Sequence, residues 1–110
     1  MFTSNFNKQG NHAKAVSITQ YTLPSFKGRV YKKLFPNESM IEEYNKTADS
    51  KKFTERYKKE ILSKLNPMAT FNELGRDSII LTRSQGGFDH KQLVVKWFKE
   101  TLDIEVKELG

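Results

Sequence analysis

Cysteine is absent from all 110 residues, which excludes disulfides, thiol nucleophiles and cysteine-based metal sites. A chain without thiols fits a reducing compartment, and a cytoplasmic location is expected. No apolar run approaches the about 20 residues that a membrane-spanning helix needs. The opening MFTSNFNKQG has no signal-peptide core, so no membrane partner is expected either. Acidic residues are missing from the first 37 positions, where Lys8, Lys14, Lys27, Arg29, Lys32 and Lys33 stand; the first carboxylate is Glu38. There is no internal repeat, low-complexity tract or linker, and the length suits one domain with one core.

Hydrophobic residues make up only 36% of the chain, but eight Phe, four Tyr and one Trp supply large apolar area per residue and make a compact core feasible. The net charge of +6 is concentrated. In the acid-free segment the bases alternate with Phe2, Phe6, Tyr21, Phe26, Tyr31 and Phe35. A second basic run, Lys51, Lys52, Arg56, Lys58 and Lys59, is tempered by Glu55 and Glu60, and charge is balanced from Ile61 onward. Bases interleaved with aromatics suit a polyanion, the charge attracting phosphates and the rings offering stacking surfaces. The plainer alternative is a solvated basic face over core aromatics. Lys27, Arg29, Lys32 and Lys33 are the candidate nucleic-acid contacts.

The pattern predicts the order β-β-α-α-α-β-α-β. MFTSNF reads as a short strand and Ala15 to Gln20 as a second, with a polar loop between them. YTLPSFKGRVY, broken by Pro24 and Gly28, reads as irregular. A helix starts near Pro36 and runs to about Lys46. The next, capped by Asp49 or Ser50, runs to about Leu65 with Phe53, Tyr57, Ile61, Leu62 and Leu65 on one stripe. Asn66-Pro67 opens a short third helix that Gly75 stops. Ile79, Ile80 and Leu81 in succession mark a strand covered on both faces. Asp89 is a natural cap for a helix from His90 to about Leu102, and Ile104, Val106 and Leu109 form a terminal edge strand. The fold expected is one α/β domain, with a mostly parallel sheet of about four strands and helices packed on it. A right-handed crossover makes the last two strands parallel.

The stretch from Thr82 to Lys91 carries the polar residues with chemical potential. It follows a strand and opens a helix, where α/β proteins build pockets. Gly86 and Gly87 would let backbone approach an anion, and Arg83 and Lys91 add positive charge. Against that, Asp89 at the cap can satisfy the helix amides itself, and the spacing matches no phosphate loop. His90 is the candidate catalytic group: a helix N-terminus favours neutral imidazole, which could act as a base toward Thr82 or Ser84. The structural alternative is a histidine that bonds backbone and orders the loop. Tyr57 belongs to the core stripe, yet its hydroxyl could reach the same pocket. His12 and His90 lie too far apart for metal-ligand spacing, so neither a metal nor another cofactor is expected.

TSNF near the start, AVSITQYTLPSFKGRVYKKLFP, FTERYKKEILSKLNP and DSIILTRSQGGFDHKQLVVKWFKETLDIEVKEL together resemble the domain of unknown function 488 family. The resemblance covers nearly the whole chain and is strongest from Phe53 onward. It sets His90 where the family has its histidine, Lys91 at the arginine, Tyr57 at the tyrosine of the central helix and Trp97 at the tryptophan of the last helix. Thr82 and Asp89 stand where the family has cysteines, so any thiol chemistry the family needs is unavailable here. The resemblance implies a small three-layer α/β domain, with a pocket formed by Thr3, Ser4, Thr19, Gln20, Thr82, Ser84 and His90. Small basic versions of this domain are common among bacteriophage-encoded proteins, which would place the protein in a host cytoplasm.

Three functions are therefore open. The chain favours a non-catalytic basic binding protein that engages nucleic acid or a nucleotide. A phage-type protein that binds and inhibits or redirects a host protein is the first alternative. A small hydrolase or transferase dependent on His90 is the second.

Overall fold

The computed structural model describes residues 1–20, 26–82 and 89–109. Its elements are β1 (Phe2–Asn5), α1 (Phe6–Gln9), β2 (Ala15–Ser17), β3 (Arg29–Val30), α2 (Glu38–Thr47), α3 (Ser50–Glu60), α4 (Pro67–Leu74), β4 (Ile79–Thr82), α5 (His90–Leu102) and β5 (Lys107–Glu108), with 3₁₀ turns at Lys32–Leu34 and Leu62–Lys64. The sheet has five strands in the order β3-β2-β4-β1-β5, and every pairing is parallel. The α/β class and the parallel sheet match expectation.

The four longer helices share one start signal. Asn37, Asp49, Asn66 and Asp89 each accept a hydrogen bond from a first-turn amide, at Met40, Lys52, Ala69 and Lys91, over 2.8–3.0 Å. Each cap satisfies one amide that the helix leaves without an internal partner. In α3, Phe53 and Tyr57 point inward while Lys51, Lys52, Lys58 and Lys59 are exposed. That helix ends at Glu60, short of the expected Leu65. The chain tightens into the 3₁₀ turn Leu62–Lys64, Leu65 is extended, and proline at 67 holds Asn66 extended.

The sheet separates two apolar clusters. Val16, Ile18 and Ile80 pack against Phe53, Tyr57, Leu62, Leu74, Leu93, Val94 and Phe98, so α3, α4 and α5 cover one face. Ala15, Ile79 and Leu81 pack with Phe6, Phe2, Phe26 and Leu109 on the other, where one-turn α1 makes a thin third layer. The topology explains the split. The chain leaves β1 toward β2 in one direction and leaves β4 toward β5 in the other. Right-handed crossovers running in opposite directions must lie on opposite faces.

The described residues form five strands, in keeping with the about four expected. Two expectations need correction. Arg29–Val30, read as irregular, is an edge strand whose pairing with β2 is backbone only; both side chains are exposed. The second strand stops at Ser17 rather than reaching Gln20, because the Ser17 side chain bonds Thr19 and turns the backbone.

Candidate functional site

At the sheet's C-terminal edge, β2 leads away toward β3 while its neighbour β4 leads toward β5. Such a divergence opens a crevice outside the strand ends in parallel α/β sheets. Around it stand Thr19 and Gln20 after β2, Thr82 at the end of β4, Ser4 and Asn5 at the end of β1, and the first turn of α5. Arg83, Ser84, Gly86 and Gly87 of the glycine loop lie outside the described residues.

His90 is 8% exposed and sits at the centre of this edge. Its Nε2 donates to the Ile18 carbonyl at 2.8 Å, its Nδ1 lies 3.5 Å from Asp89 Oδ1, and its ring rests 5.6 Å from that of Tyr57. Burial lowers its pKa from the ordinary value; Asp89 and the Ile18 bond push the other way, and the Lys91 charge lowers it further. The balance favours the neutral imidazole. The Nε2 bond to the Ile18 carbonyl ties α5 to the chain leaving β2, so the ring works as a clasp there.

Lys91 is equally buried, and its Nζ donates to the Ser4 carbonyl at 3.1 Å. Thr3 faces the α5 side of the sheet and shares with Lys91, Gln92, Val106 and Glu108 a hollow of about 190 Å³. Asp89 Oδ1 accepts from the Lys91 amide at 2.8 Å, so the helix N-terminus is capped from within and carries a carboxylate where an anion would sit.

Tyr57 does not offer its hydroxyl to the strand ends. That group donates to the Leu34 carbonyl at 2.6 Å, and burial, reinforced by the charge of Asp89, raises its pKa well above the usual tyrosine value. The Gln20 amide nitrogen donates to the Pro36 carbonyl at 3.0 Å. Three buried polar atoms have no hydrogen-bond partner among the described residues: Ser4 Oγ, Gln20 Oε1 and Thr82 Oγ1. They do not converge. Register places Thr82 on the α5 side with Ile80, whereas Ser4 lies opposite with Leu81. Among the described residues no three potential metal ligands come together.

Comparison with models of protein families, with curated proteins and with solved structures finds no match.

The candidate nucleic-acid contacts lie elsewhere, and they divide. The Arg29 guanidinium donates to the Glu73 and Leu74 carbonyls at 2.9 and 3.3 Å, bracing β3 against the end of α4. Lys33 pairs with Glu73 at 3.2 Å, and Tyr31 donates to the same carboxylate. Burial and that carboxylate raise the Tyr31 pKa to about 12. Arg29 and Lys33 therefore have structural duties that position in sequence did not reveal. Lys27 and Lys32 are exposed and enter no ion pair among the described residues.

Proposed function

We propose that this protein is a non-catalytic nucleic-acid-binding protein that attracts the phosphate backbone by charge. One observation carries the reading: the acid-free segment sorts its bases from its rings. Lys8, Lys14, Lys27, Arg29, Lys32 and Lys33 are all exposed, whereas Phe2, Phe6, Phe26, Tyr31 and Phe35 are buried or half-buried. Phe6 meets Phe26 edge to face at 5.0 Å, and Phe2, Phe6, Phe26 and Tyr31 pack against the apolar clusters rather than offering stacking surfaces. What remains outside is positive charge without a carboxylate in its own segment. Such a surface binds phosphates with little regard to sequence.

The hydrolase reading has less support. His90 is engaged through Nε2 and buried, and the resemblance puts Thr82 and Asp89 where thiols would stand. Thr82 is a poor substitute, since a hydroxyl ionises far less readily than a thiol. The family resemblance and a phage-type cytoplasmic setting agree with this reading but do not carry it. Among the described residues no helix is long and apolar enough to cross a membrane.

Binding of a labelled duplex, followed by fluorescence anisotropy, tests the reading. For three to five phosphate contacts affinity should fall roughly 40- to 500-fold between 50 and 200 mM salt. His90→Ala should bind nearly as well as wild type if it stays folded. Salt-insensitive binding, or none at 50 mM salt, would refute the proposal. Retention of one bacterial protein after nuclease treatment, without nucleic-acid affinity, would favour the host-protein alternative.

A further inference from the structure

We infer that nucleic acid is held at the N-terminal edge of the sheet, opposite His90, in a basic trough that seats the sugar-phosphate backbone. The inference rests on the reading above and says where, and by what contacts, binding happens.

Two neighbouring hollows make the trough. One, of about 390 Å³, is walled by Lys14, Arg29 and Arg76, with Asp77 as the one carboxylate among its lining residues. The other, of about 550 Å³, is walled by His12 and Lys27 and has no acidic lining residue among the described residues. They share Ala13 and meet where Gly28 passes into Arg29. Lys14 immediately precedes β2 and Ser78 immediately precedes β4, which fixes the trough at the start of the two central strands. The four cationic side chains and His12 are all exposed.

The cations are available there. Lys14, Lys27 and Arg76 enter no ion pair among the described residues. Arg29 is pinned by two carbonyls at the end of α4, so its charge is fixed in the wall and loses little freedom when a phosphate arrives. His12 accepts the Lys14 amide on Nδ1 at 3.0 Å, which leaves its Nε2–H as a further donor. Gly75 lines the first hollow, and nothing lies within 4 Å of where its Cβ would stand, so a backbone can approach closely there.

Among the described residues no Phe, Tyr or Trp side chain lines either hollow, and the His12 imidazole is the one ring there, so base stacking adds little. Phosphates are what the trough can recognise. It should not discriminate sequence, and single strands and duplexes should both bind.

The test compares two triple charge reversals of equal size in the full chain. One, Lys14→Glu with Lys27→Glu and Arg76→Glu, alters the trough. The other, Lys51→Glu with Lys58→Glu and Lys59→Glu, alters the exposed face of α3. Each is checked for fold by circular dichroism and titrated at 100 mM salt with duplex DNA, single-stranded DNA and RNA of about twenty nucleotides per strand. The trough variant should lose at least about tenfold in affinity for every probe and flatten the salt slope by about 2–3. The α3 variant should lose less than about threefold. Equal losses, or a larger loss in the α3 variant, overturn the trough while leaving nucleic-acid binding standing. Should wild type bind none of the three probes even at 50 mM salt, both the trough and the function fall. If the triple variant unfolds, single reversals at Lys14 and Lys27 replace it, with about two- to fourfold losses expected and no loss counting against the trough.

Discussion

His90 Nε2 and the backbone oxygen of Ile18, 72 residues apart in sequence, are joined by a 2.8 Å hydrogen bond that ties the first turn of α5 to the chain leaving β2. The bond needs only neutral imidazole, and the burial that surrounds it resists protonation. This gives the protein an acid-sensitive joint.

The pH dependence follows in sign. Because the folded pKa of His90 lies below the ordinary value of 6.5, the unfolded chain binds the proton more tightly than the folded one. Stability should therefore be full above about pH 6.5 and decline as the pH drops below it toward the lower folded value. Thermal melts of wild type and His90→Asn between pH 5 and 8 check this. The variant should melt lower at pH 8 but lose less between pH 7 and 5. Parallel curves would mean that His90 is not the group responsible.

Tyr57→Phe isolates a second joint. The hydroxyl donates at 2.6 Å to the Leu34 carbonyl, and both residues are fully buried in the core. Removing the donor leaves a buried carbonyl unsatisfied and should cost about 1–3 kcal/mol, read from urea unfolding. Nucleic-acid affinity should not change, since the hydroxyl faces the core. A variant that folds as well as wild type but binds weakly would return Tyr57 to the ligand-binding residues.

Thr82→Val should behave in the opposite way. The Thr82 hydroxyl is buried and has no partner among the described residues, so folding pays its desolvation without a hydrogen bond in return. Replacing it with a methyl group of similar shape should leave the melting temperature unchanged or raise it. A loss greater than about 1 kcal/mol would show that the hydroxyl is bonded after all.

Elements with a side-chain signature were legible in the sequence, and those made by backbone alone were not. Asp49, Asn66 and Asp89 announced their helices because a short polar side chain before an apolar stripe has a local job. Ile79 to Leu81 announced a central strand because both faces of it are covered. Nothing marked Arg29–Val30, whose side chains point to solvent, or the single turn of α1, too short to show a period. The same division holds for the candidate site. Placing His90, Lys91 and Thr82 at one sheet edge followed from strand–loop–helix order. The partners of His90 and Lys91, the carbonyls of Ile18 and Ser4, carry no residue-type signal, so clasp and base looked alike. The trough was hidden for a related reason: Lys14 and Arg76 meet only because β2 and β4 are neighbours. The acid-free opening segment was the one hint: of the four bases it singled out, Lys27 and Arg29 line the trough, whereas Lys33 is paired with Glu73 at the end of α4.

Gly75 closes α4 with φ of +96° and ψ of 136°, a region that side-chain-bearing residues enter only under strain. Nothing lies within 4 Å of where a Cβ would stand, so crowding plays no part and the penalty of Gly75→Ala is conformational. It should amount to about 1–3 kcal/mol in urea unfolding. The strain acts where Arg29 is braced, because the turn at Gly75 sets the direction of the Glu73 and Leu74 carbonyls that hold its guanidinium. If the trough depends on that brace, Gly75→Ala should also weaken nucleic-acid binding modestly under conditions where the variant is fully folded, whereas Tyr57→Phe should not. Equal affinity for wild type and Gly75→Ala would show that the fixed position of Arg29 adds nothing beyond its charge.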